Sequence, residues 1–162
     1  IVDRMTVVCI GGNPIGCEKP GWEFNFGNDV EAANTVLHCG GDIWMIPNNV
    51  YGTMHIGFGE IQRRIAPYGE IGRLLYENLI SFYETENASW SAGESWSLGD
   101  SPAVGVTLEP NCGSFMYCKA PEVQEDTSYR YPENSPQIRV YTSINSRFII
   151  EDFISKLQIL YG

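Results

Sequence analysis

The sequence predicts an α/β fold: an open, mostly parallel sheet with helices on both faces. Residues 1–10 are rich in β-branched and apolar side chains and run into a Gly-Gly-Asn-Pro turn, which is typical of a buried strand. A helical stretch follows, capped at Asn28 or Asp29 and ended by two glycines, and residues 43–46 predict a second apolar strand. A strand, a helix and a strand in this order form a βαβ unit, so the two strands should be parallel.

The rest of the chain continues the alternation of helices and strands. Apolar residues recur near helical spacing over residues 61–82, and Pro67 divides this stretch into two helices. Residues 84–99 are polar and predict a long surface loop, after which Asp100 stands where a helix begins. Two strands and a last amphipathic helix are then expected near residues 115–119, 138–142 and 148–160. Because we find no internal repeat and no linker, we expect residues 1–162 to form a single domain.

The composition excludes several classes of function. Of the 162 residues, 43% are hydrophobic and 19% charged, which is enough apolar material for a core and too little charge for a disordered chain. The formal net charge of −10 would repel a phosphate backbone, so nucleic acid is not an expected partner. The apolar runs are too short to span a membrane, and we find no secretory signal. We therefore expect a cytoplasmic protein.

The cysteines indicate neither a disulfide framework nor a zinc site. They number five, their spacings are wide, and no CxxC occurs. We therefore expect buried thiols in a reducing compartment.

Glu23 and Asn25 form the first candidate site. They lie two residues apart just before a predicted helix, so an extended backbone would point both side chains the same way. A carboxylate that accepts from hydroxyls, beside an amide that donates and accepts, suits a sugar diol. The alternative is that both are ordinary polar loop residues, and the spacing alone favours that alternative.

Asp100 is the second candidate, and the histidines are weak ones. An Asp ahead of Ser-Pro at a helix start is most often an N-cap, and the functional alternative is a metal-binding carboxylate at the rim of a parallel sheet. His38 lies late in a predicted helix and His55 lies in a Gly-rich stretch, so structural or surface roles are favoured for both. No Ser/His/Asp arrangement supports a hydrolytic triad.

Several segments together resemble one known family. The strand ending in Gly11-Gly12 is similar to a family strand that ends in a Gly-Gly turn, and Gly99-Asp100-Ser101-Pro102 is similar to its His-Asp-Pro segment. The most specific match is residues 23–33, where EFN and then EAA follow the family's signature. The segments at 43–50 and 138–160 also match, so the resemblance covers nearly the whole chain. The chain thus resembles the C-terminal half of an inosine–uridine preferring nucleoside hydrolase.

The resemblance implies an enzyme that hydrolyses the N-glycosidic bond of purine or pyrimidine ribonucleosides to ribose and base. Members have an open α/β sheet with the site at the carboxyl ends of the strands and bind one Ca²⁺, which holds a water and the ribose hydroxyls. By resemblance, Glu23 and Asn25 would bind ribose, and Asp100 would be a ligand of the calcium ion. Calcium prefers such hard oxygen ligands, and a metal-bound water loses its proton more easily.

Two departures from the family pattern bear on catalysis. The Asp-rich motif of the DxDxxxDD kind, which supplies most calcium ligands and the catalytic base, does not occur in this sequence. Gly99 stands where many members carry a His that assists the leaving base. We therefore assign no catalytic residue in this chain.

The departures leave three interpretations open. The chain is part of a hydrolase whose N-terminal half is separate, or a catalytically inactive nucleoside- or sugar-binding relative, or a structural domain that has lost the ligand. In each case a half-sheet should expose an apolar strand edge. We therefore expect a homo-oligomer or a complementary N-terminal half as partner, with a small-molecule nucleoside as the ligand.

Overall fold

The computed structural model describes residues 4–91 and 93–162 and divides into two compact units. The first unit comprises the described residues up to Tyr51 together with Asp100–Ile144, and the second comprises Gly52–Gly99 and Asn145–Gly162. The segments that carry Glu23, Asn25 and Asp100 all belong to the first unit.

A four-stranded sheet forms the centre of the first unit. Its strands are β1 (Thr6–Ile10), β2 (Asp42–Ile46), β5 (Gly113–Lys119) and β8 (Gln137–Ile144), in the order β1-β2-β8-β5. β2 is parallel to both β1 and β8, whereas β5 runs antiparallel to β8. The predicted mostly parallel sheet with helices is confirmed, and its antiparallel member is an edge strand, a common arrangement in such sheets.

The register of β1 and β2 determines where the loops after them meet. Thr6 pairs with Asp42 and Ile10 pairs with Ile46, so the two strands end at the same level. Two further hydrogen bonds continue the ladder beyond the strands, from Gly11 N–H to the Ile46 carbonyl at 3.0 Å and from Asn48 N–H to the Gly12 carbonyl at 2.9 Å. The loops that follow β1 and β2 are therefore held together at the carboxyl edge of the sheet.

In the described part of this unit, the helices are α1 (Phe24–Gly27), α2 (Val30–Leu37), α3 (Asn48–Tyr51) and α6 (Ser101–Leu108). The Asp29 side chain caps α2 by accepting from Ala32 N–H at 2.8 Å, so the second of the two predicted caps is the one used. The buried core of this unit packs one sheet face against α1, α2 and a short hairpin, β6 (Glu122–Val123) with β7 (Tyr129–Arg130). Its buried members are Phe26, Leu37, Ile43, Met45, Ala120, Val123, Ile138 and Val140.

The second unit is mainly helical. It contains α4 (Phe58–Arg64), α5 (Gly69–Tyr83) and α7 (Ser146–Tyr161), together with a short 3₁₀ helix at Glu86–Ala88. Pro67 falls between α4 and α5, as predicted. The prediction of one loop over residues 84–99 is wrong, because β4 (Ser95–Ser97) pairs antiparallel with β3 (His55–Gly57). Strands of three residues are too short to be predicted from the local sequence, because they become regular only by pairing with each other.

The cysteines follow the prediction in part. All five thiols are free; Cys112 is buried, Cys9 and Cys118 are half-buried, and Cys17 and Cys39 are exposed. The expectation of buried thiols is therefore wrong for Cys17 and Cys39, which lie in loops outside the core. Across the part of the chain that the structure describes, no helix is long and apolar enough to cross a membrane.

Candidate functional site

The turn after β1 brings its backbone into close contact with Phe26 and Glu23. Gly12 has a φ of +85°, and a Cβ there would lie 2.7 Å from the ring of Phe26. Only glycine avoids both the strained backbone and the clash. The Gly12 N–H consequently reaches the carboxylate of Glu23 at 2.7 Å.

Glu23 is a buried N-cap whose carboxylate is fully used. The residue is only 2% exposed. Its Oε2 accepts from the N–H groups of Gly12 and Phe26 at 2.7 and 2.9 Å. Its Oε1 accepts from Asn25 N–H at 3.1 Å and from the Tyr51 hydroxyl at 2.7 Å. Two carboxylate oxygens offer about four lone-pair positions, so each position has a donor.

The expectation of an extended backbone from Glu23 to Asn25 is wrong. Glu23 is extended, with φ −106° and ψ 124°, but Asn25 lies inside the helical turn α1 that the Glu23 carboxylate caps. The capping bonds to Asn25 and Phe26 stabilise this turn locally. Asn25 is half-buried, and its side-chain amide makes no hydrogen bond to any described residue. That amide remains available to a ligand.

Tyr51 links Glu23 to the neighbourhood of Asp100. It is the last residue of α3, is half-buried, and donates its hydroxyl proton to Glu23. Burial raises the pKa of the Tyr51 phenol well above its ordinary value, and the bond to Glu23 and the charges of Glu23 and Asp100 raise it further. Asp100 is therefore within electrostatic range of the Tyr51 phenol.

Asp100 occupies the N-cap position of α6 without acting as a cap. Its side chain makes no capping hydrogen bond, and the residue is exposed. Unlike the Glu23 carboxylate, that of Asp100 is not used for capping and makes no hydrogen bond to the described residues. In the stretches 4–91 and 93–162, no three His, Cys, Asp or Glu side chains gather as a metal site. Asp100 suits a hard cation, but alone it would supply one or two of the roughly six to eight oxygens that calcium takes.

Two buried residues support the site and were missed by the sequence reasoning. Asn13 is 2% exposed; its amide donates to the carbonyls of Gly21 and Thr127 at 3.0 and 3.1 Å, and its oxygen accepts from the Asn48 amide at 3.2 Å. Thr127 is 1% exposed and lies at the tip of the β6–β7 hairpin, where its Oγ1 accepts from Glu23 N–H at 2.8 Å. Thr127 also has a φ of +62°, a strained conformation for a β-branched residue.

Different signals were available for these two residues. Asn13 belongs to the Gly-Gly-Asn-Pro turn, so its place in a turn was visible, although its buried hydrogen bonds were not. Thr127 carried no signal, because its partner Glu23 is 104 residues away in the sequence. The weak candidate His38 caps the end of α2, and its Nε2 lies 3.1 Å from the Pro121 carbonyl, which is a structural role.

The first unit thus combines three kinds of group, of which Glu23 lies against the turn that follows the carboxyl end of β1. Glu23 and Tyr51 form a part-buried acid–phenol pair. The Asn25 amide and the Asp100 carboxylate make no side-chain hydrogen bond to the residues that the structure describes. Neutral and charged oxygen and nitrogen groups of this type can bind a polyhydroxylated ligand through hydrogen bonds. The carboxyl edge of an open parallel sheet is also where such folds bind their ligands.

Comparison with known proteins gives a family and a fold. The model of the inosine-uridine preferring nucleoside hydrolase family matches residues 2–150. Among solved structures, a plant nucleoside hydrolase matches with a TM-score of 0.71 at 16% identity, covering 94% of this chain and 51% of the other. A purine-preferring ribonucleoside hydrolase from Gardnerella vaginalis matches with a TM-score of 0.67 at 19% identity, covering 94% and 49%. The chain therefore spans about half the length of these two structures. No curated protein matches its sequence.

Proposed function

The chain belongs to the inosine–uridine preferring nucleoside hydrolase family, and we propose that it supplies the sugar-binding part of a nucleoside N-ribohydrolase site. The reaction is the hydrolysis of the N-glycosidic bond of a purine or pyrimidine ribonucleoside to ribose and free base. The observation that carries the proposal is the Glu23–Tyr51 pair, with Asp100 in the same unit of the fold and within electrostatic range of the phenol. We place the enzyme in the cytoplasm, in nucleoside salvage.

Asn25 and Glu23 would have different duties toward ribose. The Asn25 amide is free to donate to one sugar oxygen and accept from a neighbouring hydroxyl, as a diol requires. Glu23 holds the Gly12 turn and α1 in place through three backbone N–H groups and lends its negative charge to the sugar site. As positive charge develops on the ribose ring in the transition state, a nearby carboxylate is more stabilising than in the ground state.

Asp100 would be a ligand of a calcium ion. Its carboxylate is exposed, makes no capping bond, and belongs to the oxygen class that calcium prefers. A bound calcium ion would lower the pKa of a coordinated water and so favour the hydroxide nucleophile. The remaining oxygens, and the base that takes the proton of the water, would come from outside the described residues of this chain. We assign no catalytic residue here.

A complementary N-terminal half would complete the site. β1 is an edge strand of the sheet, so one side of its backbone has no strand partner among the described residues. Four of its five residues are half-buried, and its sequence TVVCI is apolar. An apolar edge of this kind favours pairing with another strand. We propose that the partner is the missing half of the same enzyme, and that a second copy of this chain binds there in its absence.

A catalytically inactive sugar- or nucleoside-binding relative is the second candidate. Two observations favour it. Gly99 has no side chain to assist the leaving base at the position where a His is expected by resemblance. Among the described residues, Asp100 also belongs to no group of three or more His, Cys, Asp or Glu side chains that could hold a metal. Such a protein would bind ribose but would not cleave the glycosidic bond.

Ribose release distinguishes the two candidates. The full chain is mixed with the N-terminal half and calcium, and reducing sugar is followed from inosine and from uridine. A control reaction uses the Glu133→Gln variant. It removes one exposed carboxylate of the same unit and should release ribose as the wild type does. Release of ribose by wild type and Glu133→Gln supports the hydrolase. Binding of ribose by calorimetry without any release supports the inactive relative, and absence of both rejects a sugar site.

A further inference from the structure

Four hydrogen bonds already occupy the Glu23 carboxylate, so a sugar hydroxyl would need a different acceptor. Three of the four donors to its carboxylate are backbone N–H groups that belong to the turn after β1 and to the first turn of α1. A ligand could displace them only by unfolding those turns. The fourth donor is the Tyr51 hydroxyl, which is the only side chain on this carboxylate among the described residues.

We propose that Tyr51 is a ribose-binding residue, through which Glu23 acts on the sugar. A sugar hydroxyl donates its proton to Tyr51 Oη while Tyr51 continues to donate to Glu23 Oε1. This inference rests on the proposed sugar-binding function and names a residue that neither the EFN motif nor the His-Asp-Pro-like segment contains. In this arrangement Glu23 does not contact the sugar directly but holds the Tyr51 hydroxyl that does.

The phenol has the hydrogen-bonding capacity for this role. A phenolic oxygen can accept while its proton is donated, and Tyr51 Oη accepts no hydrogen bond from the described residues. Tyr51 is half-buried and ends α3, the helix that follows β2. Its hydroxyl bonds to the carboxylate that also holds the Gly12 N–H after β1, at the edge of the sheet where open α/β folds bind ligands.

The groups around Tyr51 keep its phenol protonated, with the proton on the hydrogen bond to Glu23. Burial and the nearby carboxylates of Glu23 and Asp100 all disfavour a phenolate, so the Tyr51 proton stays on the bond to Glu23. A hydroxyl whose proton is held by a carboxylate is a better acceptor, since chains of hydrogen bonds polarise one another. The charge of Asp100, the proposed calcium ligand, also acts on this phenol.

The test combines a variant with a probe on Tyr51 itself. D-Ribose and inosine are titrated into the full chain, alone and with the N-terminal half and calcium, and binding is measured by calorimetry. Tyr51→Phe removes only the hydroxyl and should weaken ribose binding by about tenfold. Tyr117→Phe is the matched control, because Tyr117 is exposed on β5 and its hydroxyl accepts from Arg139 rather than facing the site. Circular dichroism confirms that both variants are folded.

A single 3-fluorotyrosine at position 51 makes the test independent of folding effects in the variant. Without ligand, its pKa should be higher than that of free 3-fluorotyrosine, and Glu23→Gln should lower it. Its ¹⁹F resonance should move on addition of D-ribose and saturate with the calorimetric Kd. Ribose binding without any ¹⁹F shift and without loss in Tyr51→Phe overturns this inference while leaving the proposed function standing. An unperturbed pKa at position 51 also overturns it. Absence of ribose binding in every mixture rejects the proposed function, and this inference with it.

Discussion

The backbone N–H of Glu23 donates to Oγ1 of Thr127 at 2.8 Å, across 104 residues of sequence. The same Oγ1 donates to the Gly21 carbonyl at 3.2 Å, and the Thr127 carbonyl accepts from the Asn13 amide. The tip of the β6–β7 hairpin therefore joins the loop before α1 to the turn after β1. Thr127 adopts a positive φ of 62° in this arrangement. A β-branched residue is strained in that conformation, which persists only where surrounding hydrogen bonds hold the backbone in place.

Thr127→Val should lower the free energy of unfolding by about 1–3 kcal/mol, because it leaves the buried Glu23 N–H without an acceptor. Valine keeps the shape and the β-branched strain, so the difference isolates the hydroxyl. Thr127→Ser keeps the hydroxyl and is the control. Urea unfolding followed by fluorescence measures both. Equal stability of the valine and serine variants would show that the Oγ1 bonds contribute nothing.

Glu23→Ala should lower the free energy of unfolding, because four hydrogen bonds to its carboxylate are lost together. Hydrogen bonds to charged groups contribute about 1.5–3 kcal/mol each, so a loss of at least about 2 kcal/mol is expected. Thermal unfolding measures it. Any rise in the barrier for ribose cleavage should be measured only below the melting temperature of the variant. A fully stable Glu23→Ala protein would contradict the N-cap assignment.

Asp100→Ala should weaken calcium binding by the assembled protein by at least about tenfold, since even indirect supports of metal ligands contribute that much. Its stability should change little, because Asp100 makes no capping bond. Isothermal calorimetry with Ca²⁺ measures the affinity, and Glu133→Gln controls for the loss of one exposed negative charge. Unchanged calcium affinity in Asp100→Ala would remove this residue from the metal site.

The thiol of Cys9 should resist alkylation at pH 8, because burial raises its pKa from 9.0 to about 12. Cys17 and Cys39 are exposed and should react with iodoacetamide under the same conditions. As pH rises from 9 toward 12, the unfolded chain loses the Cys9 proton while the folded chain keeps it, so this thiol makes stability fall with rising pH. Mass spectrometry of native and urea-unfolded samples locates the labels. Cys9 labelling as rapid as that of Cys17 in the native protein would refute the burial argument.

The chain alone should associate through the open edge of β1. The expected species is a dimer or larger, with a mass above the 18.1 kDa of one chain and a concentration dependence that the N-terminal half suppresses. Multi-angle light scattering over a range of concentrations measures this. A monomer that persists at high concentration would contradict an exposed pairing edge.

Local chemistry explains the elements that the sequence predicted well. β1 and β2, the Asp29 cap of α2, the break at Pro67 and the helix α7 each follow from neighbouring residues, through β-propensity, capping or the missing N–H of proline. The helical turn α1, which Glu23 caps, was not among these predictions. These signals survive in the folded protein because they depend on residues within a few positions of each other.

By itself the sequence determined the α/β class, the order of the main elements and the identity of Glu23, Asn25 and Asp100 as candidates. Only the tertiary structure decided that the Glu23 carboxylate is saturated, that Tyr51 donates to it, and that β3 pairs with β4. The reason is physical: the bonds from Gly12 and Tyr51 to Glu23 and the β3–β4 ladder join residues 11 or more positions apart. Such bonds form only when the chain folds and buries their donors and acceptors together.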